Sequence, residues 1–334
     1  MALTFDEINA ITNALYLPKF PQLVFDRNII MNRLWKRGSK PSSGEFIKQP
    51  VMYKATKGGA YSPYEVFDVS AEDQITAARF DWKYYEVPIT LSRDDILKND
   101  GPEGVKKLMD AKMKLAGMKM SDDIATDLWD GTTSDSSKQI TSIALMCDDN
   151  AGTLTSGNGA QYGNITRTDM LVGSRYTWDA KITSAGAADL DYDGDFSGWM
   201  NTTYMSAVDG DIHPTIAIAH NDWLDRFWKD ARPDQRFLDK SMLAMGWVSM
   251  SFNGIPFVAD LHLPAYTATD ANNRIYFLNE EFLDFVSHSK ENMRFEPFAK
   301  PIDQNVSVAH VYWAGNMTTS ACHRHAVLYN MADA

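Results

Sequence analysis

Apolar residues recur at spacings of three and four between positions 100 and 131, in the longest periodic stretch of the chain. The residues of this stripe are Val105, Leu108, Met109, Met113, Ala116, Met120, Ile124 and Leu128. Such spacing puts them on one face of an α-helix. Asp100 or Gly101 can cap its start, Pro102 suits its first turn, and Gly131 can end it. The pattern predicts a helix over residues 102–130, about 42 Å long at ~1.5 Å per residue.

The C-terminal half of this predicted helix is crowded with acidic residues. They are Asp122, Asp123, Asp127 and Asp130. The helix dipole disfavours negative charge at this end. We therefore expect neighbouring groups to compensate, which is a first indication of an assembly.

Before the helix the pattern changes to a period of two, which is typical of strands. Two strands are predicted, over Tyr61–Val69 and Ala77–Leu91, with a β-bulge near Tyr85. The second strand has Phe80, Trp82 and Tyr84 on one face and Val87, Ile89 and Leu91 on the other. Two strands without a third are marginally stable. The sequence thus predicts a protruding hairpin that needs a partner surface.

Shorter elements complete the pattern. Helices are predicted from Phe5 to Leu15 behind a Thr4–Glu7 capping box, around Ile29–Trp35, over Phe196–Val208, and from Asn221 through Trp223, Phe227 and Trp228. Strands are predicted over Ile140–Met146, Thr215–Ala219, Phe252–Val258 with an Asn253-Gly254 turn, Arg274–Leu278, Val306–Trp313 and Ser320–Tyr329. No βαβ unit or internal repeat is visible, so the predicted fold class is α+β.

Composition excludes several classes of protein. The 334 residues are 44% hydrophobic, enough for one large or two medium domains. No apolar run reaches about 18 residues, so no membrane partner is expected. The chain opens without a signal-peptide pattern, and Cys147 and Cys322 are too few for a disulfide framework. The net charge of −12 argues against nucleic-acid binding by the chain as a whole.

The charge is divided between two segments. Residues 27–57 hold eight basic residues against Glu45, a net +7, whereas residues 121–211 hold fifteen Asp against four basic residues, a net −11. Segments of opposite sign either meet, within the fold or across copies, or remain two solvated surfaces. Both readings stay open on the sequence alone.

Candidate chemistry is sparse. Asp189, Asp191, Asp193 and Gly194 match the opening of a calcium loop, but its last ligand position holds Met200 instead of Glu. His323 and His325 share one side of a predicted strand, with Cys322 on the other, and His310 or His262 would have to complete a zinc site. A solvated acidic loop and packing or interface histidines are the favoured interpretations. No nucleophile elbow, phosphate loop, dinucleotide fingerprint or HExxH motif occurs, so no catalytic, cofactor or metal site and no enzyme is predicted.

Several motifs together resemble a known family. FDRNIIMNRLWKRGSK, the strand pair ending ITAARFDWKYYEVPITLS, and the helix ending DLWDGT come in that order, followed by GNITR, GWVSMSFNGIPFVADLHLP and NRIYFLN. This order and spacing resemble the major capsid proteins of tailed bacteriophages with the Hong Kong 97 fold. The likeness spans nearly the whole chain.

The resemblance implies a division of the chain. Residues 1–50 would be an N-terminal arm, 51–91 an extended loop reaching over a neighbouring subunit, and 92–214 a peripheral domain with its spine helix at 102–130. Residues 215–264 would form the axial domain, and 265–334 the remaining strands of the peripheral domain.

The resemblance also implies partners. Copies would assemble through hexamers and pentamers into an icosahedral shell around double-stranded DNA, in the virion and after assembly in the host cytoplasm. Because the chain starts directly at the arm, a separate scaffolding protein or a processed chain is expected, with a portal and possibly a decoration protein. DNA contact should be weak and non-specific. No motif extends the family's Lys–Asn cross-link to Lys54, Lys57 or Lys83, so non-covalent shells are expected.

Two alternatives have no positive support in the sequence. An encapsulin-like nanocompartment has the same fold but encloses a cargo enzyme. A metal-dependent hydrolase would need Asp189, Asp191 and Asp193, or His323 and His325, as ligands.

Overall fold

The structure, a computed structural model, describes most of the chain after position 27. The described ranges are 28–37, 40–54, 56–67, 70, 73–98, 102–129, 137–155, 157–172, 175–185, 195–230, 249–263, 273–300 and 305–331. The helix predicted over Phe5–Leu15 and the candidate calcium loop at Asp189–Gly194 lie outside them. Within these ranges no helix has the length and hydropathy needed to span a bilayer.

Helices and strands alternate irregularly along the chain, as the α+β class requires. The helices are α1 Ile29–Arg37, α2 Arg93–Lys98, α3 Pro102–Trp129, α4 Ile143–Met146, α5 Asp195–Ala207 and α6 Asn221–Asp230. The strands are β1 Lys40–Ser42, β2 Ile47–Met52, β3 Ile75–Phe80, β4 Lys83–Ser92, β5 Gln161–Tyr162, β6 Ile165–Thr166, β7 Leu171–Val172, β8 Arg175–Tyr176, β9 Lys181–Ser184, β10 Ile216–Ala219, β11 Ser249–Phe252, β12 Ile255–Ala259, β13 Arg274–Leu278, β14 Leu283–His288, β15 Arg294–Ala299, β16 Val306–Thr319 and β17 Ala326–Tyr329.

A five-stranded sheet is built around β16. Strand β4 runs antiparallel along one edge of β16, from Val306↔Ser92 to Gly315↔Lys83. Strands β15 and then β14 share the other edge, and β1 adds to β14 in parallel. The register between β4 and β16 is continuous, so the β-bulge predicted near Tyr85 was wrong. The interruption lies instead between β3 and β4, which the sequence predicted as one strand.

Helix α3 covers one face of this sheet and matches its predicted start. Met109, Met113, Met120, Ile124 and Leu128 are all buried, which confirms the predicted apolar stripe. The helix packs on β4, whose buried residues include Val87, Ile89 and Leu91. Tyr84 is exposed on the opposite face, as the period of two requires.

A six-stranded sheet carries the second cluster of buried residues. Its order is β11-β12-β10-β13-β17-β9. All four residues of β10 are buried, as the TIAIA sequence predicted. The β11–β12 hairpin turns at Asn253 and Gly254 with φ of 47° and 81°, which confirms the predicted Asn-Gly turn.

Two helices cover this sheet. Phe196 and Met200 of α5 are buried, as predicted, and α5 packs on β17 and β9. Trp223 and Phe227 bury the inner face of α6 against β12, but Trp228 is exposed, so its predicted place on the apolar face was wrong.

The division of the chain into five parts stays a prediction. The sheet topology shows, however, how residues 265–334 are divided between the two large sheets. Strands β13 and β17 pair within the sheet of β10 and β12, whereas β14, β15 and β16 form the other sheet. Residues after 264 therefore contribute to both sheets.

Two other predicted strands are wrong. Ile143–Met146 is a short buried helix capped by Ser142, because a brief apolar run fits a buried helix as well as a strand. Cys322–Arg324 forms a 3-10 turn, so only Ala326–Tyr329 of the predicted 320–329 strand is extended.

Candidate assembly interface

A hairpin forms between β2 and β3, but not from the predicted strands, and one of its faces is buried in the core. Strand β3 pairs with β2, from Ile47↔Phe80 to Met52↔Ile75. Residues 61–67 of the predicted Tyr61–Val69 strand lie in the loop beyond it. The alternating apolar residues do not form a strand here, because no strand in the described part of the chain lies beside them.

The hairpin is joined to the body at the base of β3. The Arg79 amide donates to the Gly163 carbonyl oxygen at 2.8 Å. Gly163 has a φ of +62°, and a Cβ there would lie 2.7 Å from the Phe80 ring. Only glycine tolerates both conditions, so the contact between this loop and the base of β3 requires glycine at position 163.

The loop at the hairpin tip exposes apolar side chains. Tyr64 is 100% exposed, Val66 93%, Tyr61 67% and Phe67 62%. The rings of Tyr61 and Phe67 meet edge to face, with centroids 5.2 Å apart. Such a contiguous apolar surface in water is typical of a protein-binding site.

Polar contacts give this loop a fixed shape. The Glu65 amide donates to the Ser62 carbonyl oxygen at 3.0 Å, and the Ser62 amide donates to the Glu65 carboxylate at 2.9 Å. Lys57 Nζ donates to Ser70 Oγ at 2.7 Å. A loop shaped in advance loses less conformational entropy when a partner covers it.

The acidic residues of α3 find partners inside the chain. Tyr85 Oη donates to Asp127 Oδ2 at 2.7 Å, and Gln139 Nε2 donates to Asp127 Oδ1 at 2.8 Å. Burial, with Asp127 in support, raises the pKa of Tyr85. Asp123 pairs with Lys119 at 2.5 Å. The expected compensation of the helix end is therefore present within one subunit.

Asp260 joins three parts of the fold. Its buried carboxylate accepts from Asn28 Nδ2 at 2.6 Å, from Trp129 Nε1 at 2.9 Å, and from the His262 amide at 3.0 Å. Asn28 Oδ1 also caps α1 by accepting from the amides of Ile30 and Met31. The start of α1 and the end of α3 are thereby fixed to the six-stranded sheet.

The charges at this junction are balanced. Burial opposes ionisation of Asp260, but the hydrogen bonds from His262 and Trp129 outweigh it and lower the pKa of the carboxyl. The bond to Asp260 raises the pKa of His262, whose Nε2 also lies 3.7 Å from Asp122. His262 therefore serves this junction.

The basic segment is also partly paired within the chain. Arg33 donates to both carboxylate oxygens of Glu280, at 2.5 and 2.6 Å, and Arg37 donates to the Glu281 carbonyl oxygen. Glu280 and Glu281 lie outside the acidic 121–211 segment. Lys36 is exposed.

The candidate histidine ligands, which lie in the described part of the chain, do not converge. His323 Nδ1 lies 2.8 Å from the Thr177 carbonyl oxygen, His310 Nδ1 lies 3.0 Å from Glu86 Oε2, and His325 is buried elsewhere. Because residues 322–324 turn, His323 and His325 are not on one strand face, and that prediction was wrong. Among the described residues no group of three His, Cys, Asp or Glu is placed to hold a metal ion.

His325 has a structural role that its hydrogen bonds define. Its Nδ1 accepts from the Asn279 amide at 3.2 Å, so the ring proton lies on Nε2, which is 3.1 Å from Thr319 Oγ1. A second proton on Nδ1 would face the Asn279 N–H. Burial, with the His323 charge in support, lowers the pKa of His325 to about 3.

We expect this histidine to make the fold sensitive to acid. Between about pH 6.5 and pH ~3, His325 is protonated in the unfolded chain but stays neutral in the folded chain. The free energy of unfolding should therefore fall by up to ~1.4 kcal/mol per pH unit across that window, whereas the contribution is constant above it. Urea unfolding of wild type and His325→Gln from pH 7 to pH 4.5 gives the free energy of unfolding at each pH. The contribution of His325 is the difference between the two proteins in the slope of that free energy against pH. Parallel slopes would contradict it.

Comparison with known proteins gives the fold its context. No protein-family model and no curated protein matches the chain. Among solved structures, the capsid of a native GTA particle superposes with a TM-score of 0.60 at 10% identity, covering 90% of both chains. The capsid of cyanophage A-1(L) gives 0.58 at 13% identity, over 88% of this chain and 90% of that one. Mycobacterium phage Bobi gives 0.53 at 10% identity, over 88% of each. The α+β fold of this chain is therefore the phage-capsid fold of the Hong Kong 97 type that its motifs predicted.

Proposed function

We propose that the chain is a major capsid protein, the coat subunit of a tailed bacteriophage. Copies assemble through hexamers and pentamers into an icosahedral head around double-stranded DNA. The observation that carries the proposal is the capsid fold over nine tenths of the chain, with similar coverage of the GTA capsid subunit. The exposed apolar loop at 61–67 supports it, since only a neighbouring molecule would cover that surface.

The segments have distinct roles in this proposal. Residues 1–50 form the arm, 51–91 the loop that reaches a neighbour, and 102–130 the spine helix. Residues 215–264, with β9, β13 and β17 beside them, form the axial domain around the five- or six-fold axis. Strands β14–β16 complete the peripheral domain. Heterologous contacts of this kind generate closed rings.

The partners and location follow from the same role. We propose a separate scaffolding protein, a portal and weak non-specific contact with the packaged DNA, with a decoration protein as a further candidate partner. Assembly takes place in the host cytoplasm, and the mature protein resides in the virion. We propose no catalytic role and no cofactor.

Negative-stain microscopy and mass photometry of the purified full chain test the proposal. We expect shells, or capsomers of five and six subunits. A stable monomer or dimer at all concentrations would overturn it. Shells that enclose a co-purified protein and no DNA would instead identify an encapsulin-like compartment.

The basic arm supplies a second test. Changing Lys36 and Arg37 to Glu should weaken assembly and reduce its dependence on salt, because the arm then no longer attracts the acidic surface of an adjacent subunit. Light scattering at several salt concentrations measures the effect. Unchanged assembly at low salt would mean that this basic surface is merely solvated.

The shell should also be non-covalent. Lys83 is buried, and its Nζ donates to the Ser137 carbonyl oxygen, so it is not available to another subunit. Boiling assembled particles in SDS without reductant should give one monomer band. A ladder of bands would contradict this.

A further inference from the structure

His262 lies between two carboxylates that belong to different parts of the fold. Its Nδ1 is 2.9 Å from Oδ1 of Asp260, which directly follows β12 of the six-stranded sheet. Its Nε2 is 3.7 Å from Oδ1 of Asp122 on α3. The side chain of Asp260 is 5% exposed and that of Asp122 53%, so the first contact is sheltered from water and the second is partly solvated. Each ring nitrogen therefore faces an acceptor.

Only the doubly protonated ring has a donor for each carboxylate. Asp260 Oδ1 also accepts from the His262 amide at 3.0 Å, so this oxygen is an acceptor and Nδ1 carries a proton. In the neutral ring that proton is the only one. The lone pair of Nε2 then faces the Asp122 carboxylate, an acceptor opposite an acceptor. A proton on Nε2 turns the same contact into an ion pair.

Helix α3 contacts this part of the six-stranded sheet at two polar points. Trp129 Nε1 donates to Asp260 Oδ2 at 2.9 Å. Asp122 reaches His262 seven residues earlier, about 10 Å along the axis at ~1.5 Å per residue. An indole N–H does not titrate, whereas an imidazole titrates near neutral pH. Of these two contacts, only the one at Asp122 therefore depends on a proton.

We infer that His262 is a proton-dependent tether between α3 and the loop after β12. With protons on both ring nitrogens it links Asp122 to Asp260. When Nε2 gives its proton to water, Asp122 is released, and Trp129 alone keeps the contact between α3 and Asp260. The inference concerns a single subunit and does not depend on the proposed function.

The charges around the ring fix the pH range of the tether. The hydrogen bond to Asp260 raises the pKa of His262, burial opposes this rise, and the charge of Asp122 adds to it. Among the described residues these carboxylates are the charged groups that act on the ring, and Asn28, just before α1, supplies a neutral amide to Asp260. The tether is therefore complete below about pH 6.5, the ordinary value for histidine. It is lost as the pH rises through the higher midpoint of the folded chain.

Deuterium exchange at the imidazole Cε1 position, followed by mass spectrometry from pH 5 to pH 9, measures the titration midpoint of each histidine in the full chain. We expect the midpoint of His262 to lie above pH 6.5 and to move down in Asp122→Asn, which removes the charge beside Nε2. Asp123→Asn is the matched control, because Asp123 is the adjacent acid on α3 but pairs with Lys119. A midpoint at or below pH 6.5, or equal responses to the two substitutions, would overturn the tether.

Amide hydrogen exchange then shows whether this proton controls the attachment of α3. Protection of residues 118–126, corrected for the intrinsic effect of pH, should fall up to about fivefold as the pH rises through the His262 midpoint, as expected for a partly exposed ion pair. Residues 107–113, at the other end of α3, should show no such step. The step should also be absent in His262→Gln, and Asp122→Asn gives the same test if that variant does not fold. Protection that stays constant through the midpoint in wild type would mean that His262 titrates without holding α3.

Discussion

Replacing Tyr61, Tyr64, Val66 and Phe67 together with serine should leave a folded subunit that no longer assembles. These side chains are between 62% and 100% exposed, so their loss removes little from the core. The free energy of unfolding of the subunit should change by no more than about 0.5 kcal/mol. Covering a large apolar side chain contributes about 1.5–3 kcal/mol. Losing the burial of four such side chains at every contact should raise the protein concentration needed for assembly more than about a thousandfold.

Two measurements check this result side by side. Sedimentation velocity reports assembly, and thermal unfolding by circular dichroism reports the fold. Met205→Ser removes one exposed apolar side chain on α5 and serves as the control, which we expect to assemble. Normal particles from the four-serine variant would show that the loop is not an interface.

Replacing Arg167 with methionine should have the opposite profile, a large loss of stability within the subunit. Arg167 is fully buried, and its guanidinium donates to the carbonyl oxygens of Gly159, Leu145 and Trp178. Asp179 lies 3.8 Å away. Methionine fills similar volume but leaves three carbonyl oxygens without the guanidinium donor and removes the positive charge beside Asp179. We expect the free energy of unfolding to fall by about 3–5 kcal/mol.

Urea unfolding of the unassembled subunit measures this loss. The free energy of unfolding of Arg167→Lys should lie between those of wild type and Arg167→Met. One ammonium cannot donate to three carbonyl oxygens with the geometry of a guanidinium. Arg294→Met, at an exposed position of β15, is the control, and we expect a change of no more than about 0.5 kcal/mol. A loss below about 1 kcal/mol for Arg167→Met would contradict the role of this network.

Local patterns predicted the elements whose signals lie within a few residues. Helix α3 starts at Pro102 as its capping sequence predicts, and the Asn253-Gly254 turn has the backbone angles that this dipeptide favours. In both cases the residues that determine the local structure are neighbours in the sequence. The apolar stripe of α3 and the buried strand β10 follow for the same reason.

The failures share a different cause. The sequence from Tyr61 to Val69 alternates like a strand, but no described strand pairs with residues 61–67. Ile140–Met146 is equally compatible with a strand and a buried helix. Asp260 and Arg167 gave no local signal, since their partners are distant in sequence or are backbone carbonyls. For the candidate interface, the sequence predicted an exposed hairpin. The register between β2 and β3, which pairs Lys48 with Arg79, could not be predicted, because it depends on which strand pairs with β3.

The continuous pairing of β4 with β16 has a consequence for synthesis of the subunit. It joins residues more than two hundred positions apart, so the central strand of the five-stranded sheet is synthesised long after β4. Long-range pairing of this kind is slow to form, and translation proceeds at about 5–20 residues per second. An unfinished chain therefore lacks the sheet that supports α3 and β4. We therefore expect α3 and β4 to reach their final packing only once β16 has been synthesised.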